Sequence, residues 1–394
     1  MWTLAVWATA LAQQAGPGDV VTPRARELHA GAIVIDTHDD TTMRWLSEPA
    51  FDLGASHSTG SIDIPRMRQG GLDALFFSIY MPGDVTGPLA VKRALQQIDT
   101  VREVVRAHPR ELMLATSAAD IRRAVAERKI AALMGMEGGH MIDADLGVLR
   151  DYAALGVRYL TLTHSLNTPW ADSSGDKPAH DGLTPFGKDV VRELNRLGVL
   201  VDISHVSDKT FYDTLEVTST PVIASHSSCR ALSNSPRNMT DDMLRALAKN
   251  GGVIMINYHA EFISEAFRST KPPAAVQAQL DGAAKQCGPD EACLILGWTR
   301  IYHDAMNKRQ MPAVSWVEIV DHIEHAVKVA GVDHVGLGSD FDGAIMPLGM
   351  EDASKLPKIT GELLKRGYAE RDVTKILGGN LLRVMEQAGL RSGR

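Results

Sequence analysis

The chain predicts an α/β fold, a closed (β/α)8 barrel of the TIM type with an insertion after the seventh strand. Three observations carry that expectation. Eight short apolar runs recur along the 394 residues, most are separated by segments of helical periodicity, and six of the eight run into a histidine or an acid. Runs that are apolar on both faces are typical of parallel strands covered on both sides. Regular alternation with helices favours a barrel over an open doubly wound sheet.

The runs are "AIVID" (32–36), "LDALFFSIY" (72–80), "IAALMGME" (130–137), "VRYLTLTH" (157–164), "LVDISH" (200–205), "PVIASH" (221–226), "GGVIMIN" (251–257) and "HVGLGSD" (334–340). The first βα unit is the weakest, because only "IPRMRQGG" can supply its helix. Later helices announce their starts. Thr184-Pro185 offers an N-cap followed by proline at the first helical position. Ser207-Asp208 and Thr240-Asp241-Asp242 open the next two, and Ser315 with Glu318 has capping-box spacing. Residues 259–314 break the alternation and are read as an excursion over the barrel mouth, a lid or a dimer surface. With no internal repeat, residues 20–394 are expected to form a single domain.

Composition narrows the partners. A hydrophobic fraction of 44% and a charged fraction of 23% are those of a globular protein. A net charge of -7 without a basic stripe argues against nucleic acid and for a small molecule. Residues 1–12 end in Ala10-Leu11-Ala12 and resemble a secretory signal peptide, so an exported protein is expected, and a cytoplasmic one if that segment is not a signal. No run approaches the ~20 apolar residues of a transmembrane helix, and "QAGLRSGR" offers no tail for a lipid anchor. Cys287 and Cys293 in "CGPDEAC" are spaced to close a small disulfide loop in an oxidising compartment, which leaves Cys229 over.

The polar ends of the strands carry the chemistry. His38 and Asp40 follow the first run, Glu137 ends the third, His164 the fourth, His205 the fifth, His226 the sixth and Asp340 the eighth. In a parallel barrel those ends share one rim, where active sites of this fold lie. Taken singly, each has a plain structural explanation, as a loop histidine, an Asx turn or a helix cap. Their coincidence at strand ends does not. Imidazoles and carboxylates without thiolate suit zinc, with manganese or cobalt as substitutes. Three imidazoles and two carboxylates exceed what one open tetrahedral site uses, so two ions sharing Glu137 fit better.

Seven stretches extend the pattern: "DTHDD", "IPRMRQGG", "MEGGH", "LTHSLNTPWADS", "GLTPFGKDVVRELNRLGVLVDISHVSD", "SHSSCRALSNSPRN" and "HVGLGSDFDG". On these the chain resembles the membrane (renal) dipeptidase family, zinc peptidases of family M19 in the amidohydrolase superfamily, from about Ile33 to Leu390. The resemblance implies two zinc ions per chain, one held by His38, Asp40 and Glu137 and the other by Glu137, His205 and His226. It implies Asp340 as the acid that moves the proton, His164 as the donor to the substrate carbonyl, and Arg237 as the receptor of the substrate's terminal carboxylate. Thr37 and Asp39 depart from the glycine and asparagine common in the family, and Asp39 is expected to alter affinity for the substrate amine.

The expectation is therefore a dinuclear zinc dipeptidase acting on dipeptides, a C-terminal D-residue included, and a homodimer. Two alternatives stand beside it. One is another amidohydrolase reaction at the same site (N-acyl amino acid deacylase, lactonase or β-lactam hydrolysis), and the other is a non-catalytic metal-binding barrel.

Overall fold

The computed structural model describes residues 21–48 and 50–389; the signal-like segment 1–12 lies outside them. Among the described residues nine strands form one sheet: β1 (Ile35–Asp39), β2 (Ala74–Tyr80), β3 (Leu112–Leu114), β4 (Ile130–Glu137), β5 (Val157–Thr161), β6 (Leu200–Asp202), β7 (Ile223–Ser227), β8 (Val253–Ile256) and β9 (Val335–Leu337). All pairs are parallel, in the order β1-β2-β4-β5-β6-β7-β8-β9. Just past β9, Asp340 N–H donates to His38 O at 3.1 Å and Asp40 N–H to Phe341 O at 2.9 Å. These bonds bring the ends of the first and last strands together, so eight strands make a nearly closed barrel.

β3 is the strand that the sequence did not announce. It pairs with Ile130–Ala132 at the start of β4, in the space that β5 fills only from Met134 onward. Three residues are too few to show a period, so only the vacant edge of β4 makes them a strand. The other expected runs form strands, but β5, β6 and β9 stop at Thr161, Asp202 and Leu337. His164, His205 and Asp340 therefore lie three residues further on, in loops. His205 (φ 66°) and Asp340 (φ 64°) adopt left-handed backbone, which no ladder continues.

The cap signals hold. Thr184 accepts from Gly187 N–H, Ser207 from Thr210 N–H and Thr240 from Met243 N–H, at the starts of helices Pro185–Leu197, Asp208–Val217 and Asp241–Asn250. Glu318 accepts the Ser315 N–H at 3.0 Å ahead of helix Val317–Ala330. Helix Pro185–Leu197 buries Val190, Val191 and Leu194 against the barrel, each contributing about 1.5–3 kcal/mol. The first unit does have a short helix, Ile64–Gln69.

Residues 259–314 are mostly helical: Ala260–Ile263, Glu265–Ser269, Ala274–Cys287 and Glu291–Asn307. A disulfide joins Cys287 to Cys293, with Cα atoms 5.5 Å apart, across the turn between the last two helices. Cys229 is free and buried. Among the described residues no helix is long and apolar enough to cross a membrane.

Candidate metal centre

β4 places Glu137 at the centre of the rim. Its Oε1 lies 2.9 Å from His205 Nε2 and 3.2 Å from His226 Nε2, while Oε2 lies 3.3 Å from His38 Nε2. His38 Nε2 is in turn 3.4 Å from Asp40 Oδ2, and the His205 and His226 Nε2 atoms are 2.8 Å apart. Two imidazole nitrogens and a carboxylate oxygen at such separations have too few protons to satisfy one another. His38 Nε2 and Asp40 Oδ1 have no hydrogen-bond partner at all, although both are buried.

The backbone is bent to aim these groups. β1 slips register between Asp36 and Asp39, and β7 between Ala224 and Ser227, so the irregularities fall around His38 and His226. The two rings stack with centroids 3.8 Å apart. Gly343 gives Asp40 its room, since a Cβ there would stand 1.9 Å from Asp40 Oδ2.

Sets of donor atoms within 4.8 Å of one another group as His38, Glu137 and His226; as Glu137, His164 and His205; and as His38, Asp40 and Asp340. The structure thus gathers all seven rim residues, and Glu137 and His38 each belong to two sets. His164 Nε2 is 3.8 Å from Glu137 Oε1.

Burial and neighbouring charge set the protonation states. Burial lowers the His205 and His226 imidazoles, and holds His164 down to about 4. All three are neutral near pH 7, the state in which an imidazole keeps a lone pair that a metal ion can use. Burial opposes ionisation of Glu137, but the His38 and His164 imidazoles outweigh it and hold the carboxyl well below the usual range. Asp340 is lowered in the same way, with His226 and His38 overcoming burial. Asp40 is pushed up to about 7, mainly by burial. Three buried acids meeting at one place favour the arrival of positive charge.

Several residues that hold this centre carry no sequence signal. Tyr159 Oη lies 2.8 Å from His38 Nδ1, and its ring crosses β4 at Gly135, where a Cβ would meet Tyr159 Cζ at 1.8 Å. Ser225 Oγ bonds His226 Nδ1 at 2.8 Å and donates to Asp202 Oδ2 at 2.6 Å. Asn257 Nδ2 donates to Asp340 Oδ2 at 2.9 Å. Tyr159 and Ser225 sit inside apolar runs, where neither spacing nor composition distinguishes them from core, and Asn257 ends one without being a histidine or an acid.

The centre opens into a cavity of about 380 Å³, lined also by Tyr80, Arg237 and Phe262 and, from helix Glu291–Asn307, by Glu291, Leu294, Ile295 and Trp298. Arg237 donates to His226 O at 3.1 Å, its guanidinium lies 5.2 Å from the Phe262 ring centroid, and its Nε–H is unpartnered. Burial lowers it to about 10, which leaves it charged at neutral pH. A larger cavity, about 1040 Å³, lies at the opposite end among residues such as Asn250, Gly251 and Arg383, and holds none of the rim residues.

One expectation is corrected. Asp39 does not face the cavity. It is fully buried on the other side of β1 from His38, and accepts from Thr41 N–H at 3.1 Å and Thr41 Oγ1 at 2.8 Å. Alternation along the strand turns it away, so it cannot touch a substrate amine.

The geometry agrees with the chain's relatives. It is 35% identical over 379 residues to Dipeptidase 3 of Mus musculus, covering 93% of this chain and 67% of that protein. A crystal structure from Pseudomonas aeruginosa, described as the "probable dipeptidase PvdM", superposes with TM-score 0.78 at 29% identity, covering 94% of this chain and all of that one (100%). A metallo peptidase from Rhodobacter sphaeroides, liganded with a phosphinate mimic of the dipeptide L-Ala-D-Ala, follows at TM-score 0.74 and 27% identity, covering 91% of this chain and 99% of that one. The family model for membrane dipeptidase, peptidase family M19, matches residues 22–392. With metal-capable side chains gathered at the mouth of the expected barrel, the chain belongs to the membrane dipeptidase family and is a metal-dependent dipeptidase.

Proposed function

We propose that this protein is a dinuclear zinc dipeptidase. In this reading His38, Asp40 and Glu137 hold one ion, and Glu137, His205 and His226 the other. The observation that carries it is the division of Glu137 between two sides: Oε1 faces His205 and His226 while Oε2 faces His38. At the 2.0–2.1 Å typical of zinc bonds to nitrogen and oxygen, neighbouring ligands of a tetrahedral ion stand about 3.3 Å apart. The separations here, 2.8 to 3.4 Å, bracket that value.

When bound there, the ions would supply Lewis acidity and make water ionise nearer neutral pH. The rest belongs to the chain. Asp340, ionised and steadied by Asn257, accepts the proton of the attacking water and returns it to the leaving amine, worth about 10²–10⁴-fold. His164, neutral, donates its N–H to the oxygen that gains charge, worth roughly 3–4 kcal/mol. Arg237 grips the substrate's carboxylate, and its fixed distance from Glu137 sets the length of peptide that fits.

The bound phosphinate in the Rhodobacter sphaeroides relative supports acceptance of a C-terminal D-residue. The Cys287–Cys293 disulfide supports export to an oxidising compartment.

The test pairs a dipeptide with its C-terminal amide, and measures zinc per chain. Two zinc ions and a preference for the free acid of about tenfold or more are expected, from a charge-assisted contact worth about 1.5–3 kcal/mol. Equal turnover of both would remove the role of Arg237 and favour another amidohydrolase reaction.

A further inference from the structure

One carboxylate in the cavity wall has no part in the reading above. Glu291 lies in the loop that the Cys287–Cys293 disulfide closes, where Asp290 caps the following helix by accepting the Cys293 N–H at 3.1 Å. It lines the same cavity as Glu137, His164 and Arg237. Tyr80 lines the cavity beside it and interacts with its carboxyl. Tyr80 pairs in register with Glu137 across β2 and β4, and its ring stands edge-on to His164 at 4.8 Å. Glu291 is thereby tied to the wall beside the reacting centre.

Glu291 also borders a neighbouring cavity, one that Arg93 lines. The charged groups that act on Glu291 are Glu137 and Asp84, both acids, and together with burial they raise its carboxyl. A carboxylate at the first turn of a helix can serve the helix dipole from solvent, with no need to turn inward. Half-buried and lining the cavity, it offers a partner to a cation that enters. Arg237 and Glu291 line the same cavity as opposite charges. A dipeptide is a zwitterion with its charges at its two ends.

We propose that Glu291, presented by the disulfide-closed loop, receives the free α-ammonium of the substrate and selects for an unblocked amino end; this rests on the dipeptidase reading above. Asp39, the acid expected near that amine, faces away, and Glu291 occupies the place.

The experiment uses the zinc-loaded full chain and two compounds, Ala-Ala and propionyl-alanine, which differ only by the amine. Glu291→Gln keeps a polar partner for Tyr80 and removes the charge. It is expected to raise KM for Ala-Ala about tenfold while propionyl-alanine is unchanged. Binding of a phosphinate mimic of Ala-Ala and of its desamino analogue, followed by calorimetry, should show the same split. A Cys287→Ser/Cys293→Ser pair should shift Ala-Ala in the same direction, and adding Glu291→Gln to it should change little more. An unchanged KM for Ala-Ala, or equal losses on both compounds, overturns the proposal; an unaffected pair variant overturns the part given to the disulfide. If the wild-type chain cleaves neither compound, the dipeptidase reading itself fails, and calorimetry still decides whether Glu291 recognises an amine.

Discussion

Tyr159 and Asp340 touch the same cluster through different atoms, so replacing each separates holding the metal from using it. Tyr159 fixes His38 through Nδ1, with Nε2 facing Asp40 and Glu137. Partners of this kind contribute about 10–100-fold to metal affinity. Tyr159→Phe keeps the ring that packs on Gly135 and should weaken zinc by about that factor in a chelator competition, with turnover restored at high zinc. Asp340→Asn keeps the Asn257 contact and should retain zinc while turnover falls by about 10²–10⁴-fold. Full activity in Asp340→Asn, or unchanged zinc affinity in Tyr159→Phe, would remove the respective role. Of these two, only Asp340 is marked in the sequence, in "GSDFDG". Tyr159 reads there as one more apolar residue of β5.

At the scale of elements, helix Val317–Ala330 is pinned to the rim by one buried imidazole. His322 Nδ1 accepts the Cys229 N–H at 3.0 Å, and Nε2–H donates to Ile263 O at 3.0 Å. One bond needs the lone pair, so His322 must stay neutral, and burial holds it down to about 4, with Asp321 and His325 acting on it more weakly. The unfolded chain takes up that proton near pH 6.5 and the folded chain only near 4. Between those values the unfolded state binds more protons, so stability falls as pH falls, by about 3 kcal/mol in all. In urea titrations His322→Gln should be less stable than wild type at pH 7, and the gap should shrink towards pH 4. Parallel curves across that range would show that His322 does not set the slope.

The whole molecule is a scaffold that brings acids together without enough positive charge to balance them. Asp40, Glu137 and Asp340 meet in one buried pocket, and burial pushes Asp40 up to about 7. Metal bound only by the folded state stabilises it by about 2.7 kcal/mol at a hundred times Kd. Chelation should therefore lower the melting temperature and zinc should restore it; a melting temperature that ignores both would mean the cluster holds no ion. This property belongs to the closed barrel, because its donors come from β1 and the residue after it, from β4 and β7, and from the loops after β6 and β9.

Alternating apolar runs and their polar ends determined, from the sequence alone, the barrel, its mouth and the seven rim residues, since local period and strand-end position are read along the chain. They could not reveal β3, whose three residues are a strand only because β4 has a free edge there. Nor could they show that Asp39 turns away while Glu291 turns in, or that Tyr159 and Ser225 steady the imidazoles. Those facts depend on which side chains meet across strands far apart in sequence, and only closure of the sheet decides that.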